Sequence, residues 1–328
     1  MSSLTPRPYY LLGLAIPLSV IIGNYLGDFY VGTATFLGLV VCPLLDLLLG
    51  EGEDSNPEDA SPVFFDAILY MHVTLQFVAI ASFINFVLSD PEFNFLILST
   101  LSTGFSSGIS GIVVAHELIH RKGFPKYCGY LLLWTTSYLH FESEHVRGHH
   151  KYVGTDSDPA SAKAEHGLQY FVLTTVPKQF VDSWKIEMGR GNSMFFHQAS
   201  LFLLIELFTL VGLYYLFGIG VVWAFLGQCA VAVYLLEYVN YIRHWGLRRD
   251  VKDRVTAQIS WQSDARLSRY VLVELTRHAD HHLFANRAYQ SLRSHDDAPT
   301  LPSGYFACFY LAQIPLIWKR VMSRRLPA

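Results

Sequence analysis

Nine of the fourteen histidines in this chain of 328 residues fall in three tight clusters and one separate motif. The clusters are HELIH (116–120), HVRGHH (145–150) and HADHH (278–282), and the ninth histidine lies in NYIRHWGL (240–247). Imidazole is the commonest protein ligand for transition metals, and one ion takes roughly four to six ligands. Nine histidines therefore suit two ions, with about four or five nitrogens each. The candidate ligands are His116, His120, His145, His149, His150, His244, His278, His281 and His282.

The spacing within each cluster predicts where the imidazoles point. Residues four apart share a face of a helix, so His116 and His120 should converge, and His145 and His149 likewise. Consecutive histidines are turned by about 100° from one another and should serve two different ions.

The composition places the chain in a membrane. Charged residues make up 16% and hydrophobic residues 52%, whereas a soluble domain has about 25% charged residues. Six apolar runs are long enough, or nearly so, to cross a hydrocarbon core of about 30 Å. They lie at 9–26, 31–49, 64–88, 95–115, 201–217 and 219–241. The sequence thus predicts one all-α integral-membrane domain with six transmembrane helices and a helical cap, formed by segments 116–200 and 242–328, that carries the di-metal site.

The distribution of basic residues predicts the orientation. No Lys or Arg occurs in the short loops 27–30 and 89–94 or in the turn near Gly218. Positive residues favour the cytoplasmic side, so both termini, the cap and all nine clustered histidines are expected there. Residues 50–62 should form an acidic, solvated connector, and 305–318 a helix at the membrane surface.

Further residues near the clusters are candidates for supporting roles. Metal-bound imidazoles usually donate their second N–H to an outer partner, and nearby acids include Glu142, Glu144, Asp156, Asp158 and Glu274. We expect this role foremost from Glu117, Glu237, Asp280 and His140. Basic residues near the clusters form a rim that could dock an acidic electron donor. This basic rim consists of Arg121, Lys122, Arg147, Arg248 and Arg249.

The motifs HELIH, EHVRGHH, NYIRHWGL and LTRHADHHLFANRAYQSL resemble the four signatures of the integral-membrane alkane 1-monooxygenases. This family belongs to the histidine-rich membrane desaturases and hydroxylases, and GTDSDPASA and LLEYVNYI resemble it too. The resemblance implies two non-haem iron ions as cofactor, with no catalytic residue beyond the metal centre. It also implies O2, a rubredoxin or ferredoxin-type donor with its reductase, and hydroxylation of an alkyl C–H bond, expected to be terminal. A bacterial inner membrane is the expected location, and no nucleic-acid partner is expected.

Three residues depart from the family pattern. The usual glutamate before the fourth-motif histidine is Arg243, the usual tyrosine after it is Trp245, and the usual glycine of the first box is Ile119. None of these departures removes a candidate ligand.

Other functions remain open at this point. The same di-iron core could desaturate, acetylenate or decarboxylate a fatty acyl chain. HELIH also matches HExxH, the zinc-protease motif, and a metal transporter is the non-catalytic alternative. Transporters, however, place ligand groups near the membrane midplane, whereas these clusters follow the ends of predicted spans.

Overall fold

The computed structural model describes residues 7–52, 55–56, 61–191, 193 and 195–327. Within these residues the chain is helical, and the only strand-like features are two isolated bridges. The helices used below are α1 (Pro8–Leu26), α2 (Asp28–Leu48), α3 (Pro62–Leu88), α4 (Phe93–Ile119), α5 (Phe124–Trp134), α6 (141–152), α7 (Leu168–Gly189), α8 (Gln198–Phe217), α9 (Ile219–His244), α10 (Arg266–Val271), α11 (His278–Leu283), α12 (Tyr305–Gln313) and α13 (Pro315–Met322).

Six of these helices are long and apolar enough to cross a membrane, which confirms the predicted fold class. They are α1 to α4, α8 and α9. Helix α4 is the most buried, with 78% of its apolar window inside the protein, whereas α8 has 11%. A helix that is apolar all round and exposed suits contact with lipid. The bundle therefore has α4 at its centre and α8 at its margin.

The ends of α4 and α9 bring the first and fourth motifs to one end of the bundle. Helix α4 continues to Ile119, so His116 lies in its last turn instead of just after it. Helix α9 ends at His244, three residues beyond the predicted span. The cap elements α6 and α11 supply the remaining clustered histidines. All nine therefore lie in or directly beside one end of the bundle.

Among the described residues, three π-helical segments interrupt α2, α4 and α6. They are Leu37–Val41 in α2, Ser107–Val113 in α4 and Glu144–His149 in α6. A π segment forms i→i+5 hydrogen bonds, is rare, and occurs often at functional sites. Spacing rules for an α-helix do not hold within these segments.

The C-terminal region forms two helices instead of the single predicted one. Helix α12 ends at Gln313 and α13 begins at Pro315, because a proline cannot donate to the preceding turn. Trp318 is fully buried, while Leu316 and Ile314 are exposed. One face therefore packs on the protein, and the other is an apolar surface.

Much of the acidic connector 50–62 lies outside the described residues. Its described part is not wholly solvated, because Gly52 donates to the Asp264 carbonyl and buried Asn56 donates to Tyr10 and to the Gln290 carbonyl.

Candidate metal centre

The nine clustered histidines form two groups. The five-histidine group contains His116, His120, His145, His150 and His281, and the four-histidine group contains His149, His244, His278 and His282. Within each group one ring nitrogen per residue lies within 4.8 Å of the others. The groups adjoin, since the rings of His150 and His282 have centroids 4.6 Å apart. The division into five and four nitrogens is the one expected for two ions.

In the five-histidine group, Nε2 atoms face one another directly. His145 Nε2 lies 3.1 Å from His120 Nε2 and 3.2 Å from His150 Nε2, and His281 Nε2 lies 3.1 Å from His150 Nε2. Nitrogens about 2.1 Å from one ion are about 3.0–3.4 Å apart at ligand angles between 90° and 109°. The spacing therefore fits nitrogens that share an ion.

In the four-histidine group, the converging nitrogens lack other partners. Nε2 of His149, His244 and His278 and both ring nitrogens of His282 are buried without a hydrogen bond to any described residue. Buried polar atoms are normally satisfied, so several orphaned nitrogens aimed at one point fit a metal site.

Burial also keeps the imidazoles neutral. It lowers the pKa of His120 to about 4 and holds the pKa of His145, His150 and His281 well below the usual range. Neutral imidazole is the form that binds metal.

The pairing predicted within the second box is wrong. His145 was expected to share a face with His149, but it groups with His150. The cause is the π-helical backbone, in which the His150 N–H donates to the His145 carbonyl five residues earlier. The consecutive pairs His149–His150 and His281–His282 do divide between the groups, as predicted.

Three outer contacts adjoin the four-histidine group, and two of them leave Nε2 free for a metal. His149 Nδ1 lies 2.9 Å from Asp158 Oδ2, so it donates a hydrogen bond that leaves Nε2 for a metal. His244 Nδ1 lies 3.1 Å from the Ile259 carbonyl oxygen. His278 Nδ1 lies 3.0 Å from Arg243 Nη1. Arginine has no acceptor, so in this contact Arg243 donates and His278 Nδ1 accepts. In a neutral ring this leaves the proton on Nε2, so this contact, unlike the other two, does not prepare His278 Nε2 for a metal.

Three of the four residues foremost expected in this outer role have other hydrogen-bond partners. Glu117 accepts from Arg121, and Glu237 accepts from Tyr138, Gln179 and Asn240. Asp280 is bound by Arg287 and His295.

The fourth, His140, packs against Tyr138 and Phe180. Among the described contacts, none of the four bonds to a grouped histidine. Acids next to a ligand in the sequence were expected to accept a hydrogen bond from that ligand. On a helix, however, adjacent side chains point in different directions. The motif DPASA was the available signal for Asp158, while nothing in the sequence indicated the Ile259 carbonyl.

The three residues that depart from the family pattern are packed inside the protein. Ile119 packs beside Gly129, where an added Cβ would lie 2.8 Å from the isoleucine side chain. Trp245 is fully buried and its Nε1 donates to the His166 carbonyl. Arg243 is also buried, at 1% exposure.

An elongated apolar cavity leads from this centre into the bundle. The volume of the cavity together with the solvent at its open mouth is about 650 Å³. Its wall along α4 runs from Phe105 through Ile109 and Ile112 to His116, and Arg243 lines the same end as His116. Eleven residues of helix span about 16 Å, so the apolar lining extends about that far from the histidines into the bundle.

The predicted basic rim is dispersed and largely engaged. Arg121 pairs with Asp66 and Glu117, and Arg147 with Glu142. Arg248 and Arg249 donate to backbone carbonyls, and Lys122 is exposed.

A basic cleft lies on the cap surface beside the four-histidine group. Its lining has more basic than acidic residues: the basic ones are Arg147, Lys151, Lys163, Lys178, Lys185, Arg190 and Arg248, and the acidic ones are Glu144, Asp156, Asp182 and Asp158, the partner of His149. Arg121 and Lys122 are not among its lining residues.

Comparison with known proteins agrees with this site. The fatty acid desaturase family model matches residues 93–312. Alkane 1-monooxygenase 1 of Pseudomonas aeruginosa is 38% identical over 87% of this chain and 80% of its own length. Alkane 1-monooxygenase 2 of Alcanivorax borkumensis is 32% identical over 95% and 87%. The hydroxylase component of the xylene/toluene monooxygenase of Pseudomonas putida is 27% identical over 96% and 87%.

These matches cover the membrane helices and all four histidine motifs, and they confirm the resemblance inferred from those motifs. The chain is an enzyme of the alkane 1-monooxygenase family, within the fatty acid desaturase group of membrane proteins.

Proposed function

We propose that this protein is an O2-dependent non-haem di-iron monooxygenase that hydroxylates an unactivated C–H bond of an alkane or alkyl chain. The observation that carries the proposal is the pair of adjoining histidine groups at the end of an apolar cavity. The relatives named alkane 1-monooxygenases support the reaction class. The balanced reaction is RH + O2 + two electrons + two protons, giving ROH + H2O.

The residues of the chain have distinct parts in this proposal. The five-histidine and four-histidine groups would each hold one iron, and bound iron would supply the activation of O2. The Asp158 carboxylate fixes the ring of His149. Ile109 and Ile112 line the cavity, keep water from the reacting carbon and align the chain.

Electron entry is proposed at the basic cleft. Its lysines and arginines would attract an acidic rubredoxin or ferredoxin, and its wall includes Asp158, one hydrogen bond from His149. With the donor on the cytoplasmic side, the cap and both termini would face the cytoplasm, at the inner membrane of a bacterium.

The HExxH protease alternative is less well supported. His116 and His120 lie with three further histidines, whereas a catalytic zinc needs few protein ligands and an open position. Glu117, the required base, is held by Arg121. Desaturation, acetylenation and decarboxylation remain alternatives on the same core.

The test is the fate of oxygen from ¹⁸O2 during turnover of dodecane. The purified protein, in lipid nanodiscs with iron, rubredoxin and its reductase, should form dodecanol that carries one ¹⁸O atom. The position of the hydroxyl tests the expected terminal specificity. His120→Ala/His281→Ala should abolish product, while Lys252→Gln, at an exposed residue outside both groups, should retain it. Formation of an alkene that carries no ¹⁸O, or failure to oxidise any alkyl compound, would overturn the proposal.

A further inference from the structure

Arg243 is a buried cation at the metal end of the apolar cavity. Its side chain is 1% exposed, it directly precedes His244, and it lines the cavity together with His116. The wall near it is otherwise mainly apolar, with Leu236 and Leu275. A charged group in such surroundings is costly unless an opposite charge and hydrogen bonds compensate it.

The described residues compensate this cation incompletely. Nη1 contacts His278 Nδ1 at 3.0 Å and Nη2 donates to Asn240 Oδ1 at 2.5 Å. Nε has no partner, and Arg243 forms no ion pair with any carboxylate that the structure describes. Glu237 is reached only through Asn240, which donates to it at 3.1 Å. The guanidinium thus retains donor capacity at Nε, and its charge is balanced only at a distance, by Glu237 through Asn240.

A second donor lies at the same end of the cavity. Tyr305 is 1% exposed and lines the cavity. Burial raises the pKa of its hydroxyl, with a smaller opposing effect from Arg243, so the hydroxyl keeps its proton. Its one described hydrogen bond, to the Leu275 carbonyl, is long at 3.5 Å. The hydroxyl can therefore donate to a ligand instead.

We infer that the cavity binds an alkyl chain that carries a carboxylate, with the carboxylate on Arg243 and Tyr305 and the chain extending towards Phe105. A carboxylate supplies the missing negative charge and accepts from a guanidinium in two places, and the apolar wall requires an alkyl tail. The inference rests on the proposed alkyl oxidation and adds fatty acids to alkanes as a substrate class. In a bound fatty acid, unlike an alkane, the C–H bonds beside His116 are those near the carboxyl group.

Equilibrium binding separates this inference from the reaction itself. Radiolabelled dodecanoate, methyl dodecanoate and 1-dodecanol are bound to the full-length protein in nanodiscs without metal, so no iron can capture the carboxylate. We expect the wild type to bind dodecanoate at least about tenfold more tightly than the ester or the alcohol, which is the range for a charge-assisted hydrogen bond. Arg243→Gln should remove that preference and leave alcohol binding unchanged.

Two further variants make the result interpretable. Arg243→Lys should keep part of the preference, since it keeps the charge. Lys252→Gln, at an exposed residue that lines neither the cavity nor the cleft, should keep all of it. Equal binding of acid, ester and alcohol by the wild type would overturn the inference, even if Arg243→Gln does not fold. A preference that survives Arg243→Gln would also overturn it. Failure to oxidise any alkyl compound would instead count against the proposed function, because binding is measured without turnover.

Discussion

At the scale of single residues, three histidines of the four-histidine group differ in the partner of their Nδ1 atom. His149 has a carboxylate partner, His244 a backbone carbonyl and His278 a guanidinium. A carboxylate raises the basicity of the ring and fixes its tautomer, whereas a guanidinium can only donate. The first two contacts therefore leave Nε2 free for a metal, whereas the third, in which His278 accepts at Nδ1, leaves the proton on Nε2 of a neutral ring.

Asp158→Asn should weaken metal binding at the four-histidine group. Asp158 accepts from His149, from Ser161 Oγ and from the Ala160 amide, and asparagine keeps the shape but removes the charge. We expect a loss of about 10- to 100-fold in affinity for one of two ions, measured by competition with a chelator. Asp156→Asn is the matched control, because Asp156 is exposed and pairs with Lys163. Equal affinities in wild type and Asp158→Asn would contradict the assigned role.

His140→Gln should flatten the acid dependence of stability in the metal-free protein. Burial lowers the pKa of His140 from 6.5 to about 4. Below pH 6.5 the unfolded chain binds a proton that the folded protein excludes, so the free energy of unfolding falls until about pH 4. The variant should lose roughly 2 kcal/mol less than wild type between pH 7 and 4.5, measured by chemical denaturation in detergent. Parallel pH profiles would show that His140 does not contribute.

At the scale of helices, the three π segments connect the cavity to the centre. Gly38 belongs to the segment of α2 and Ile109 to the segment of α4, and both line the cavity. The segment of α6 turns His145 and His149 towards different groups. A regular helix would have joined this pair on one face, which is why spacing alone misassigned it.

Phe105→Ala should extend the range of chain lengths accepted. The Phe105 ring fills the distal end of the cavity against Gly38, where an added Cβ would lie 1.9 Å from the ring. Without the ring the cavity lengthens by roughly one turn of helix, so longer chains should be converted more efficiently relative to dodecane. The product yield across a series of chain lengths checks this. Phe93→Ala, at an exposed phenylalanine of the same helix, should leave the profile unchanged, and an unaltered profile in Phe105→Ala would exclude this boundary.

At the scale of the whole molecule, the basic cleft proposed for donor docking, the two histidine groups and the apolar cavity lie between the cap and the helix bundle. The basic cleft lies on the cap, the histidine groups lie beneath it, and the apolar cavity continues into the bundle. Electrons would then arrive from water and the alkyl chain from the membrane.

The proposed orientation predicts which loops are accessible outside the cell. All four native cysteines are buried, so they can be replaced and single cysteines added at Glu92 or Lys252, both exposed. An impermeant maleimide should label Glu92→Cys in intact spheroplasts and Lys252→Cys only after permeabilisation. The reverse pattern would place the cap outside.

The sequence predicted the six membrane helices and the convergence of nine histidines, because hydrophobic length and ligand spacing are local properties. The contacts that orient the ligands are not local. Arg243 meets His278 across 35 positions, and Ile259 meets His244 through a backbone carbonyl. Neither could be deduced before the packing of α9, α11 and the segment between them was known. The π segments likewise depend on packing, since no residue pattern in HVRGHH distinguishes them from an α-helix.

The metal content of the purified protein tests the central claim most directly. Iron per chain would be measured by mass spectrometry for wild type, for His120→Ala/His281→Ala and for His244→Ala/His282→Ala. Two adjoining groups with separate ligands predict about two irons in wild type and about one in each variant. One ion in the wild type, or a zinc that persists when His244 and His282 are replaced, would contradict the dinuclear centre.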